Sequence, residues 1–149
     1  VPYDETYPTC ERTVAELRIY GADLDPAYVT TQLGMPATSS QKRGETGTNS
    51  LGLKRTAKSG GWFLSSEHVE SKDLRHHLDW LLAQLSPRSA ALRSLQATEG
   101  ITMNVTCIWW SAAGDGGPSL WPEQMSELAS LNLECAFECA FYGTNENSS

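Results

Sequence analysis

The chain has 149 residues, 40% of them apolar and 19% charged, and carries a formal net charge of −7. That length can bury a core without staples, and no apolar run approaches the ~20 residues of a membrane-spanning helix. Overall acidity excludes the basic face of a general nucleic-acid binder, and the polar, acidic first ten residues carry no secretory pattern.

Residues 1–12 read as an N-terminal extension to a single α+β domain over 13–142. From Thr13 to Tyr20, Ala15, Leu17 and Ile19 alternate with Glu16, Arg18 and Tyr20, the pattern of a half-buried strand. Asp25-Pro26 then opens a short helix burying Val29 and Leu33, which Gly34 and Pro36 end. Residues 38–60 are rich in Ser, Thr, Gly and Lys, too long for a structureless loop. Ser50–Lys54 is read as a short edge strand turning through Lys58–Gly61 into a strand from Trp62 to Ser66. Leu74, Leu78, Leu81, Leu82 and Leu85 form the best amphipathic stripe of the chain, with Ser71 as its expected N-cap and Ser86-Pro87 as its end.

A second helical segment runs to about Ala97 with Ala91, Leu92 and Leu95 inward. Ile101–Trp110 is the clearest strand, with Met103, Val105, Cys107 and Trp109 on one side. After a glycine-rich turn, a helix over Pro122–Leu131 is expected to bury Met125, Leu128 and Ala129. A last strand places Leu133, Cys135, Phe137, Cys139 and Phe141 inward and Glu134 and Glu138 outward, and 143–149 reads as a disordered tail. The fold class is therefore α+β, one largely antiparallel sheet with helices on one face. With the hairpin formed, the first six elements match a ferredoxin-like core, followed by an extra helix and strand. Cys135 and Cys139 would lie ~13 Å apart along a strand, and the four cysteines read as buried, reduced thiols of a cytoplasmic protein.

Several fragments occur in a familiar order: Leu24-Asp25-Pro26, Leu33-Gly34, Pro36-Ala37-Thr38, Gly60-Gly61-Trp62, His77-Leu78-Asp79-Trp80-Leu81-Leu82 and Gly116-Gly117-Pro118. The pattern resembles the bacterial family known as domain of unknown function 4279, over roughly Thr13–Tyr142. Trp121 departs from the small polar cap expected before Pro122. The resemblance implies a bacterial intracellular domain and supplies no chemistry or catalytic residue.

The motifs of phosphate-binding loops, dinucleotide folds and metalloproteases are missing, so no cofactor and no metal is expected. Ser39-Ser40-Gln41-Lys42 fits S-x-x-K, which chance supplies often. Glu134 and Glu138, ~13 Å apart along a strand, are too far for paired-carboxylate catalysis and read as solvated charges partnered by Arg18. His76 and His77 diverge by about 100° on a helix and cannot grip one metal together. Beside the leucine stripe, Asp73, His77 and Trp80 could recognise a ligand, or could simply line a helix seam. Between Thr38 and Gly60, Lys42, Arg43, Lys54, Arg55 and Lys58 face Glu45 alone. With Trp62 at its end, this basic segment is the other binding candidate. The leading expectation is a non-catalytic, intracellular protein-binding domain of immunity-type or regulatory role, whose acidic surface meets a basic protein partner. Nucleic acid and membrane are not expected partners. The rival is an anion- or metabolite-binding, even hydrolytic, protein acting through residues 42–58.

Overall fold

A computed structural model describes residues 2–48 and 52–141. The first strand, β1 (Cys10–Gly21), starts three residues before the alternation does, because Cys10 pairs with Ser111 across an irregularity at Glu11. Helix α1 (Pro26–Leu33) is capped as its sequence demands. Asp25 accepts the Ala27 N–H at 3.0 Å, and Gly34, at φ 69°, returns its N–H to Thr30 O. Strand β2 (Ser39–Gln41) follows, then a separate hairpin of β3 (Thr46–Thr48) and β4 (Lys54–Thr56), and then β5 (Gly60–Ser65). Helix α2 (Leu74–Leu85) continues through a single 3₁₀ turn into α3 (Ser89–Gln96). Strand β6 (Ile101–Ser111), helix α4 (Pro122–Ser130) and strand β7 (Cys135–Phe141) complete the chain.

The main sheet has the order β2-β5-β1-β6-β7. Strand β5 lies antiparallel between β1 and β2, and β1 lies antiparallel between β5 and β6. The crossovers through α1 and through α2–α3 are thus both split by an inserted strand, the ferredoxin-like arrangement, and β7 adds parallel to β6. The edge beside β5 is not the predicted Ser50–Lys54. Gly52 has φ 79°, outside strand geometry, and Leu53 is exposed, while Ser50 and Leu51 lie outside the described residues. The polar triplet Ser39–Gln41 takes that edge instead. Gly60 is obligatory where β5 begins, since a Cβ there would overlap the Leu24 carbonyl.

One face of the sheet carries the core. Ala15, Leu17 and Ile19 of β1, Trp62 and Leu64 of β5, and Val105 and Cys107 of β6 meet the whole leucine stripe of α2, with Val29, Leu33, Leu92, Leu95 and Leu128 from the other helices. Each such leucine contributes about 2 kcal/mol by leaving water. The N-cap of α2 is Asp73 rather than Ser71, whose hydroxyl instead accepts the Asp73 N–H.

The last helix and strand differ from expectation. Met125 and Ala129 are exposed, and Gln124 is the buried residue of that turn. Its amide donates to Arg75 O and the Asp79 carboxylate and accepts the Trp121 N–H, a bond that supplies the cap Trp121 cannot make. On β7, Phe137, Cys139 and Phe141 are also exposed, because no helix among the described residues covers the outer half of this edge strand. The thiols are free. Cys107 and Cys135 bring their sulfurs to 3.7 Å, yet the register sets them on a diagonal about 8 Å between Cα atoms, beyond disulfide reach. The predicted tail, 143–149, lies outside the described residues.

Residues 2–8 do not hang free as an extension. Tyr3 stacks on His76 at 4.2 Å and donates to Asp79 at 2.6 Å, the Asp4 N–H reaches Asp73, and Glu5 holds His76. No helix among the described residues is long and apolar enough to cross a membrane.

Candidate functional site

The flank of α2 dissolves as a ligand site. Asp73 is fully buried, caps the helix through the Arg75 N–H, and is held in a fork by the Arg75 guanidinium. Burial opposes its charge, but Arg75 and the Asp4 N–H outweigh that and keep its carboxyl below the usual range. His77 does not meet Asp73. It is buried, with Nδ1 2.7 Å from Ser66 Oγ and Nε2 2.8 Å from the Ser71 carbonyl. A carbonyl can only accept, so the proton sits on Nε2 and Ser66 donates to Nδ1, while Ser66 Oγ accepts the Ala15 N–H. This chain ties β1, the end of β5 and α2 together in the interior. Trp80 is half-buried against the core, with His68 edge-on at 4.5 Å. Asp73 and His77 thus spend their polar atoms on neighbours within the fold.

Trp62 is likewise no ligand platform. Its ring is fully buried on the helical face, and Nε1 donates to Thr30 Oγ1 at 3.1 Å. The period-two register decides this: Trp62 pairs with Ile19 on the core side, and its neighbour Phe63 turns to the opposite face.

That opposite, helix-free face is where the basic segment goes. Strands β3 and β4 are joined at their base by Gly44 N–H to Ala57 O and Ala57 N–H to Glu45 O, each 2.8 Å. The hairpin stands over the sheet edge and encloses with it a cleft of about 920 Å³. The floor is Glu16, Arg18 and Tyr20 of β1 with Phe63 of β5, the edge is Ser39 and Gln41, and the wall is Glu45, Thr46, Thr48, Arg55, Thr56, Lys58 and Ser59. Tyr20 and Phe63 meet edge to face at 5.4 Å. Arg18 bonds Glu16 at 2.7 Å and Glu138 of β7 at 3.1 Å. Partial burial works against its charge, but the two carboxylates outweigh this and its guanidinium is held more firmly protonated than usual. Arg18 therefore partners Glu138, as the solvated-charge reading expects.

Of the predicted basic segment, Arg55 and Lys58 line the cleft. Arg43 is exposed and pairs with Asp23 at 3.3 Å, Lys42 borders a second depression beside α1, and Lys54 is exposed on the hairpin. Ser39 and Lys42 are about 10 Å apart along an extended chain, so the S-x-x-K match is no nucleophile–base pair. Among the described residues, no cluster of three or more His, Cys, Asp or Glu could hold a metal. The sequence reading missed Tyr20 and Phe63 as cleft residues. The outward parity of Glu16, Arg18 and Tyr20 was visible, but only the crossing of the hairpin makes it a site.

A family model described as Domain of unknown function (DUF4279) matches residues 9–142. The chain belongs to this family. No curated protein and no solved structure matches it. The match runs from the residue before β1 to the residue after β7, so the sheet, its helices and the cleft are all DUF4279 domain, and residues 2–8 are packed on it from outside the matched span.

Proposed function

We propose that this DUF4279 domain is a binding protein of the bacterial cytoplasm that holds a small ligand, an anionic group attached to a flat ring, in the cleft between hairpin and sheet. The observation that carries the reading is the enclosure of Arg18, Arg55 and Lys58 with two aromatic rings in one cleft, in a chain whose net charge is −7. Arg55 and Lys58 have no side-chain partner among the described residues, so both can turn to an anion without breaking an existing pair. Hydroxyls of Ser39, Thr46, Thr48, Thr56 and Ser59 offer further donors around the rings. Free thiols suit a reducing compartment.

The test is thermal unfolding with inorganic phosphate, a nucleoside monophosphate and an aromatic carboxylate. Ligand at a hundredfold excess over Kd stabilises by about 2.7 kcal/mol, a rise of about 5 °C or more for this size. Ring-bearing anions should outperform phosphate, and Arg55→Ala, on an exposed strand, should remove the shift without altering the unliganded Tm. A shift unchanged in Arg55→Ala would sink the assignment.

A second reading, contact with another protein, is favoured by a different feature: the apolar outer side of β7, where Phe137 is 47% and nearby Met125 50% exposed.

A further inference from the structure

The two edges of the main sheet are not alike. Strand β2 is three residues long and is followed at once by Lys42, devices that discourage edge pairing. Strand β7 runs Cys-Ala-Phe-Glu-Cys-Ala-Phe, with no proline, lysine or glycine, and among the described residues β6 is the one strand that pairs with it. Since Glu134 O accepts the Val105 N–H, the backbone groups of Glu134, Ala136 and Glu138 turn to β6, and those of Cys135, Phe137 and Cys139 turn outward. Beside this edge, Pro118, Leu120, Met125, Leu133, Cys135 and Phe137 line an apolar groove of about 590 Å³.

We propose that a second copy of this chain pairs antiparallel along β7, about a two-fold axis at Phe137. The inference is independent of the cleft. Self-pairing demands a strand that complements its own reversal, and 134–140 does so in this register. Phe137 meets Phe137 of the other copy, Cys135 meets Cys139, Ala136 meets Glu138, and Glu134 meets Ala140. Every carboxylate faces an alanine, and every large apolar side chain faces another apolar one. Centring the axis on Glu138 sets that carboxylate against itself, and centring on Ala136 sets Glu134 against Glu138. Centring on Cys139 spares the carboxylates but carries the pairing past the end of β7 to Gly143. A partner of unrelated sequence would have no reason to match this internal complementarity. The two sheets join into one, and the groove beside α4 closes over the aromatic pair.

The register also writes its own assay. Directly opposed, outward-bonded residues lie about 5.5 Å apart at Cα, within disulfide reach, so Cys135 of one copy can be oxidised to Cys139 of the other. Diamide, an azo oxidant, takes the two electrons and two protons that the thiols release as the S–S bond forms. Sedimentation of the full chain should give twice 16.3 kDa. Phe137→Lys should give the monomer with an unchanged far-ultraviolet spectrum. Diamide should yield a covalent dimer whose linked peptides contain Cys135 and Cys139, and Cys139→Ser should lose the cross-link but keep the non-covalent dimer. A monomer at every concentration tried, a dimer that survives Phe137→Lys, or a Cys139–Cys139 cross-link would each overturn the proposal.

Discussion

At the scale of single residues, the chain spends its polar side chains on holding the interior together. His77 shows the physics best. Burial disfavours its charged form and is the largest influence on it; the hydrogen bonds to Ser71 and Ser66 offset this in part, and its pKa lies below the ordinary 6.5. When the pH falls through 6.5, the unfolded chain takes up a proton that the folded chain refuses, so stability is full above that value and declines below it. Denaturant unfolding at pH 7.5 and 5.5 should show this loss. In His77→Gln, less stable at neutral pH by about 1–2 kcal/mol from its broken hydrogen bonds, the loss between the two pH values should be smaller. An identical pH slope in both proteins would mean that other groups carry it.

At the scale of elements, the hairpin of β3 and β4 is separable from the fold. It forms its own two-stranded sheet, closes on itself through Gly44 and Ala57, and contributes nothing to the hydrophobic core cluster. Two strands alone are marginal in water, so their place here is explained by what they enclose. Replacing residues 45–56 by two glycines should leave Tm within about 2 °C of the parent, corresponding to under about 1 kcal/mol, and should abolish any ligand-induced shift. A large drop in Tm would make the hairpin a structural brace instead. By contrast, α2 cannot be altered in this way, because its five leucines are all nearly inaccessible and touch three strands' worth of core. The 3₁₀ turn after it is fastened to α4 by Ser86 and Glu127.

At the scale of the whole molecule, the segment before the matched family span acts as a strap over the seam of α2 and α4. Tyr3 lies between His76 and Trp121, and its hydroxyl is pushed up to about 12, by burial first and then by its bond to Asp79. Tyr7 donates to Gly117 O at 2.7 Å and sets its ring edge-on to Trp109. Removing residues 1–8 deletes three aromatic contacts and several hydrogen bonds, so stability should fall by about 2–3 kcal/mol. Tm should drop by several degrees, and Trp121 fluorescence should shift to the red as its indole meets water. An unchanged Tm would show that the strap contributes nothing to folding.

The chain by itself determined what repeats locally. The leucine stripe of α2, the Asp-Pro start and glycine stop of α1, and the alternation of β1 and β6 all follow from side-chain periodicity and capping chemistry within a few residues. Family membership was equally legible, because ordered fragments survive without knowledge of contacts. Tertiary structure alone decided three things. It chose the polar triplet Ser39–Gln41 as an edge, which no apolar pattern announces. It turned Trp62 inward and Phe63 outward, because register with β1 assigns the faces. And it left Phe137 and Met125 uncovered, since an alternating pattern says which side is apolar but not whether anything lies against it.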